Sequence, residues 1–167
     1  MTVAELERHH PKSFGWALAC CRGDRSEAEE VLQVAYMKIL DGSARFNARS
    51  QFKTWLFAVI RLTAQEHRRR AFLRRLIEDR AQRWRDQVEQ PAVPAIEADS
   101  EKVEALRLAL GELSRRQQEV INLVFYQDLS VAEAAEVMKV SVGSASRHYE
   151  RGKKRLLVGL EARGVCK

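Results

Sequence analysis

Residues 129–155 read LSVAEAAEVMKVSVGSASRHYERGKKR, and the fold is decided in this stretch. Ser130 and Glu133 have the spacing of a capping box, in which a serine hydroxyl takes a backbone N–H and the glutamate reaches back to the serine's own N–H. The box opens a short helix carrying Ala134, Ala135 and Met138. Lys139-Val140 makes a turn, and Ser141 caps a longer helix that runs into Arg147, Arg151, Lys153, Lys154 and Arg155. A short helix, a tight turn and a basic helix form the pattern of a helix-turn-helix. Such motifs lay the second helix in the DNA major groove while the first crosses the backbone. Ala134 and Ala135 suit the close helix crossing, and the basic end falls on the recognition helix, so DNA is the expected ligand.

Upstream, Val103, Leu106, Ala109 and Leu110 form an apolar stripe. Ser114 and Gln117 make a second box, opening a helix with Val120, Ile121, Val124 and Phe125 on its inner face. Before these, residues 88–100 read VEQPAVPAIEADS, hold two of the three prolines and lack helical periodicity. They are read as a flexible linker. A first module precedes it. There Phe14, Ala17, Leu18 and Cys21 keep helical spacing up to a break at Gly23. Ser26-Glu27-Ala28-Glu29 reads as a capping box that starts a second helix near Glu27, inward at Val31, Leu32, Ala35, Tyr36 and Ile39, with Asp41-Gly42 as its stop. After the polar loop 44–50 (ARFNARS), Ser50 is positioned to cap a third helix running from Gln51 into a basic block. No run alternates with period two long enough to make a strand. The expected fold is all-α, with two small helical domains, residues 1–87 and 101–167, joined by the linker 88–100.

Charge follows the same division. Residues 1–40 hold five basic and six acidic side chains, a net of −1, whereas residues 67–85 hold eight against two, or +6. Residues 97–119 return to −2 with four against six, and residues 139–167 again reach +6 with eight against two. Each half starts acidic and ends basic. The overall +6 of the 167-residue chain therefore understates two cationic ends suited to an anion, set against acidic surfaces suited to a protein. Domains this small bury only about 60% of their unfolded surface and lean on partners.

Other classes find little support. No apolar run approaches the roughly 20 residues of a membrane span, and the N-terminus lacks a signal peptide's basic-then-apolar order. A cytoplasmic protein without membrane insertion is expected. The three cysteines (Cys20, Cys21, Cys166) are an odd count that does not suggest a disulfide framework. Catalytic motifs such as HExxH, a phosphate-binding glycine loop or CxxC are absent, so neither enzyme activity nor a cofactor is expected. His9, His10, Cys20 and Cys21 have metal-ligand chemistry, but a buried thiol on an apolar helix accounts for the cysteines, and no metal is expected.

Taken together these segments resemble the extracytoplasmic-function group of alternative sigma factors of bacterial RNA polymerase. The likeness rests on GDRSEAEEVLQVAY (23–36), Arg45-Phe46, FKTWL (52–56) and EHRRR (66–70) in the first module. In the second it rests on LSRRQQEV (113–120), LSVAEAAEVM (129–138) and VGSAS (142–146). The chain departs from the group at Val34, where glutamate is usual, at Leu62 in place of asparagine, at Ser144-Ala145-Ser146, and at His148 for a frequent arginine.

The resemblance implies that Glu27, Glu29, Glu30, Gln33 and Tyr36 dock on a coiled coil of the core polymerase. It implies that the loop Arg45, Phe46, Asn47, Arg49, Ser50 and Gln51 captures a flipped base at the minus 10 element, with Arg61, His67, Arg68 and Arg69 on phosphates. It also implies a protein that restrains the chain, an anti-sigma factor. For the minus 35 element, Arg147 and Arg151 share a helix face with Ser144, Ser146 and His148, and arginine bonds bidentately to guanine. Lys153, Lys154 and Arg155 are read as phosphate contacts. The competing reading is an autonomous helix-turn-helix regulator, which has no use for the acidic helix or the polar loop.

Overall fold

The computed structural model describes residues 3–82 and 101–164, without the side chains of residues 3, 75, 77–82 and 101–103. The expected linker at 88–100, the boundary at 87 and Cys166 lie outside the described residues. The regular elements described are all helical: α1 (Val3–Cys20), α2 (Arg25–Leu40), α3 (Phe52–Gln82), α4 (Glu101–Gly111), α5 (Arg115–Ile121), a π-helical turn (Asn122–Tyr126), α6 (Val131–Met138) and α7 (Val142–Glu161). They fall into two compact units, Met1–Ala48 with Val59–Pro94 and Arg49–Ala58 with Ala95–Lys167.

In the first unit the chain leaves α1 through two left-handed residues, Arg22 (φ 58°) and Gly23 (φ 88°). Asp24 then caps α2, its side chain accepting from the Glu27 N–H at 2.9 Å. The helix thus starts at Arg25, two residues earlier than the Ser26 box predicts. Asp24–Glu27 and Ser26–Glu29 share the same spacing, and the left-handed turn brings Asp24 to the capping position first. The other end stops as expected, with Gly42 at φ 78°. Leu6, Trp16, Ala17, Cys20 and Cys21 of the first helical stretch and Ala28, Val31, Leu32, Ala35 and Ile39 of α2 are buried, and α1 packs on α2. Polar ties join α3 to them. Arg68 Nη1 donates to the Cys20 carbonyl at 2.7 Å, where a cation also complements the C-terminal end of α1, and Lys38 of α2 pairs with Glu66 at 2.5 Å.

In the second unit α7 packs on α4, α5 and α6. Its buried positions Ala145, Gly152 and Gly159 recur every seven residues, giving a smooth seam. A Cβ at Gly152 would lie 2.8 Å from Ile121 Cδ1, so that side chain would have to shift, and one at Gly159 would lie a tight 3.2 Å from Ala109 Cβ. Gln118 closes the end of α4 by donating to the carbonyls of Leu110 (2.9 Å) and Leu113 (3.2 Å).

Both predicted caps of the helix-turn-helix are present. Ser130 and Glu133 form the reciprocal box, Lys139 turns the chain at φ 54°, and Ser141 Oγ accepts from Ser144 N at 3.2 Å. Gln117 likewise reaches back to Ser114 N at 2.9 Å. The expected inner stripe of α5 fails at its end. Leu123 is buried and Phe125 is 55% exposed, because the π-helical turn adds a residue to the repeat and rotates the later side chains out of phase.

Hydrogen bonds from Ser130 hold the Glu133 carboxyl below the usual glutamate range. A depressed folded-state pKa adds stability that is complete above the unfolded-state value and is lost as pH falls through the folded one. Glu133→Gln is therefore expected to flatten the acid limb of the stability curve below the ordinary glutamate value of about 4.3, as read by urea unfolding at a series of pH values.

Candidate protein-docking and nucleic-acid faces

Because Asp24 sets the start of α2, its acids occupy the first two turns, where carboxylates complement the helix dipole. Glu29, Glu30 and Gln33 are exposed, whereas Glu27 and Tyr36 are half-buried. The structure separates these residues into two grooves. Glu29, Gln33 and Tyr36 line one between α1 and α2 with His10, Phe14, Arg25 and Leu32. There Arg25 donates to Glu29 at 3.0 Å and lies 5.5 Å over the Phe14 ring. Tyr36 OH sits 3.3 Å from His10 Nδ1, and burial raises its phenol pKa. Glu30 instead faces α3 across a groove floored by Val31 and Val34.

Between the two grooves, Met37 (58% exposed) and Leu40 (60% exposed) stand on the outer face of α2. Sequence reasoning passed over them. The available signal was their phase, off the inward stripe of Val31, Leu32, Ala35 and Ile39.

In the loop before α3, Arg45, Asn47, Arg49 and Gln51 are exposed and Phe46 and Ser50 half-buried. Arg45 Nε donates to the Gly42 carbonyl at 3.2 Å, and Ala48 takes a left-handed conformation at φ 57°. The helix begins at Phe52, one residue later than predicted. Phe57 is buried, and the half-buried rings of Phe52 and Trp55 lie 5.6 Å apart.

Three of the four phosphate-binding candidates on α3 are placed otherwise than expected. Arg61 is 3% exposed, Arg68 is spent on the Cys20 carbonyl, and His67 bonds to Glu30 at 3.1 Å. Helical phase explains the arginines. Positions 57, 61, 64 and 68 lie on one face, which Phe57 and Ala64 turn inward. Arg69 is exposed, as are Arg70 and Arg74, which the sequence reading did not select.

On α7, Gly143, Ser146, Arg147, Glu150, Arg151 and Lys154 are exposed at spacings of three and four, forming one outward stripe opposite the glycine seam. Arg147 Nε donates to the Gly143 carbonyl at 3.3 Å, which holds its side chain along the helix. Ser144 and His148 are half-buried on one flank, with Arg155 exposed beside them. Ser144 is partly engaged, since Ser141 Oγ donates to its hydroxyl at 2.9 Å. Lys153 lies on the other flank, paired with Glu150 at 3.2 Å and 4.7 Å from the Tyr149 ring centroid.

Cys20 and Cys21 are buried, and among the described residues no group of three or more His, Cys, Asp or Glu side chains is placed to hold a metal. No described helix is long and apolar enough to cross a membrane.

Residues 6–83 match the family described as Sigma-70 region 2, and residues 103–156 the family described as Sigma-70, region 4. Two helical units, the second a helix-turn-helix, with these two regions in this order define a sigma-70-type initiation factor. The chain is 30% identical over 143 residues to the ECF RNA polymerase sigma factor SigX of Bacillus subtilis (strain 168), spanning 83% of this chain and 73% of that one. It is 26% identical over 153 residues to the ECF RNA polymerase sigma factor SigC of Mycobacterium tuberculosis (strain CDC 1551 / Oshkosh), spanning 87% and 77%. The chain belongs to the ECF family of RNA polymerase sigma factors. A crystal structure of the sigma factor RpoE in complex with the anti-sigma factor NepR from Bartonella quintana shares the fold, with a TM-score of 0.73 over 95% of each chain at 24% identity.

Proposed function

We propose that this chain is a dissociable specificity subunit that carries core polymerase to a two-part promoter and performs no chemistry itself. Residues 1–87 form the polymerase-binding and minus 10 domain, residues 88–100 the linker and residues 101–167 the minus 35 domain, and the chain works in the cytoplasm. Glu29, Glu30, Gln33 and Tyr36, with Met37 and Leu40 between them, meet a basic and apolar helical surface of the polymerase, with Glu27 at the margin. Arg45, Phe46, Asn47, Arg49, Ser50 and Gln51 receive an unstacked base of the melted minus 10 strand, a task for aromatic and polar surface beside cations. Arg69, Arg70 and Arg74 follow the phosphates, and Arg61, His67 and Arg68 leave that set. Arg147 and Arg151 read the minus 35 bases, with Ser144, Ser146 and His148 adjoining. Lys153, Lys154 and Arg155 position the helix on phosphate. An anti-sigma protein that covers these faces is the expected restraint, as a relative of the same fold was crystallised with one.

The observation that carries this reading is the separation of faces within a sigma-family chain. An acidic and apolar surface lies on α2, and an exposed stripe carrying Arg147 and Arg151 on α7. Glu29→Lys with Gln33→Ala is expected to weaken binding to purified core polymerase about 10-fold or more, as charge reversal at a close interfacial pair does. Unchanged affinity in a fluorescence titration would remove the α2 face from the docking surface.

A further inference from the structure

The basic helix α3 carries one side chain whose surroundings suit neither a DNA contact nor an ordinary core residue. His67 is only 16% exposed at its side chain and directs Nε2 at Glu30 Oε2, 3.1 Å away and 37 positions earlier in the chain. Its other ring nitrogen, Nδ1, is buried without a hydrogen-bond partner. A histidine that binds phosphate must turn an N–H toward solvent, where the phosphate approaches. Here one nitrogen faces a carboxylate that would repel phosphate, and the other faces the interior.

The arrangement is well formed as a strut. In the tautomer with its proton on Nε2 the ring donates to Glu30 and presents only an acceptor lone pair inside, which costs less than a buried unmatched N–H. Glu66, the neighbouring acid on α3, is held by Lys38 at 2.5 Å, so Glu30 is the carboxylate that His67 meets. Glu30 itself remains 62% exposed beyond this bond. One of its oxygens is fixed from behind while the group still faces outward.

We propose that His67 is a positioning residue for polymerase docking, holding the Glu30 carboxylate in the orientation that the polymerase meets. This rests on the reading of α2 as the docking helix. The bond fixes a side chain that would otherwise sample several rotamers, so rotational freedom is lost on folding rather than on binding. Beside the Lys38–Glu66 pair, it is a second polar tie between the docking helix and the DNA-facing helix.

The experiment measures affinity for purified core polymerase with the full-length chain carrying His67→Ala, His67→Gln, Glu30→Ala, or His67→Ala with Glu30→Ala. Folding is checked for each variant by thermal unfolding. Alongside, binding of minus 10 fork DNA is measured with the polymerase saturated by the chain. His67→Ala is expected to weaken polymerase binding about 3- to 10-fold, the scale of one ordinary hydrogen bond, since the Glu30 charge itself is kept. His67→Gln, whose carboxamide N–H reaches the same carboxylate, recovers most of that loss. Glu30→Ala costs at least as much and makes the second substitution silent. Fork affinity at saturation stays unchanged. If Glu30→Ala weakens polymerase binding and His67→Ala does not, or if His67→Ala lowers fork affinity at saturation, His67 is not a strut and the proposal is overturned. If Glu30→Ala binds as tightly as the native chain, the docking reading fails at Glu30, and the proposal falls with it through a separate result.

Discussion

Arg147→Ala combined with Arg151→Ala is expected to cut transcription from the cognate promoter about 100-fold or more while leaving affinity for core polymerase unchanged. The magnitude comes from base readout, since each good bidentate arginine–guanine pair discriminates by roughly 1 to 3 kcal/mol, or about 5- to 150-fold. Geometry assigns the effect to these two. They are exposed, lie one turn apart at the centre of the α7 stripe, and Arg147 is steadied by the Gly143 carbonyl. The flanking cations should behave differently. Lys154→Ala and Arg155→Ala weaken binding to all promoters alike and each lower the salt dependence by about one unit of slope, because phosphate contacts carry no sequence information. Promoter titrations at several salt concentrations separate the two behaviours, and a double variant with native transcript yield and footprint would take Arg147 and Arg151 out of the reading set.

Gly152→Leu is expected to cost roughly 3 kcal/mol or more and to leave the second domain largely unfolded at 37 °C, because an overpacked seam cannot relax cheaply. Even a single Cβ meets Ile121 Cδ1 at 2.8 Å and Gln117 Cβ at 3.2 Å. The first contact is the end of a side chain, but Ile121 is itself 2% exposed and has little room to move. A leucine adds three further carbons at the place where α7 crosses α5. Gly143→Ala makes the control, since nothing lies within 4 Å of its added carbon, and on a helix it should be neutral or stabilising by about 0.5 to 1 kcal/mol. Circular-dichroism melts of the full-length variants test both, and a Gly152→Leu chain that melts with the native profile would refute the close crossing.

Local signals at three helix starts of the second unit, where a side chain closes on nearby backbone, were legible in the sequence. The boxes at Ser130 and Ser114 and the cap at Ser141 lie within three residues of the groups they bond, and the structure has all of them. Asp24 was missed because two overlapping tetrads satisfy the same rule and only the left-handed turn at Arg22-Gly23 chooses between them. The burial of Arg61 and the diversion of Arg68 were legible after all, in the phase they share with Phe57 and Ala64. The arginine run was read by composition and not by face. The rotation at Phe125 comes from a π-helical turn that no periodic pattern announces. The pairing of His67 with Glu30 spans 37 residues and depends on how α3 lies against α2. Such contacts are set by tertiary packing, and local spacing does not encode them.

The central claim is that this chain directs polymerase and does not act on promoters by itself. Run-off transcription with purified core polymerase on genomic promoter fragments tests it most directly, with duplex binding by the chain alone measured on the same fragments. The account predicts a discrete transcript only when chain and core are both present, and no specific protection of the duplex by the chain alone. Tight, sequence-specific duplex binding by the chain alone, without any initiation when core polymerase is added, would contradict it and mark an autonomous helix-turn-helix regulator.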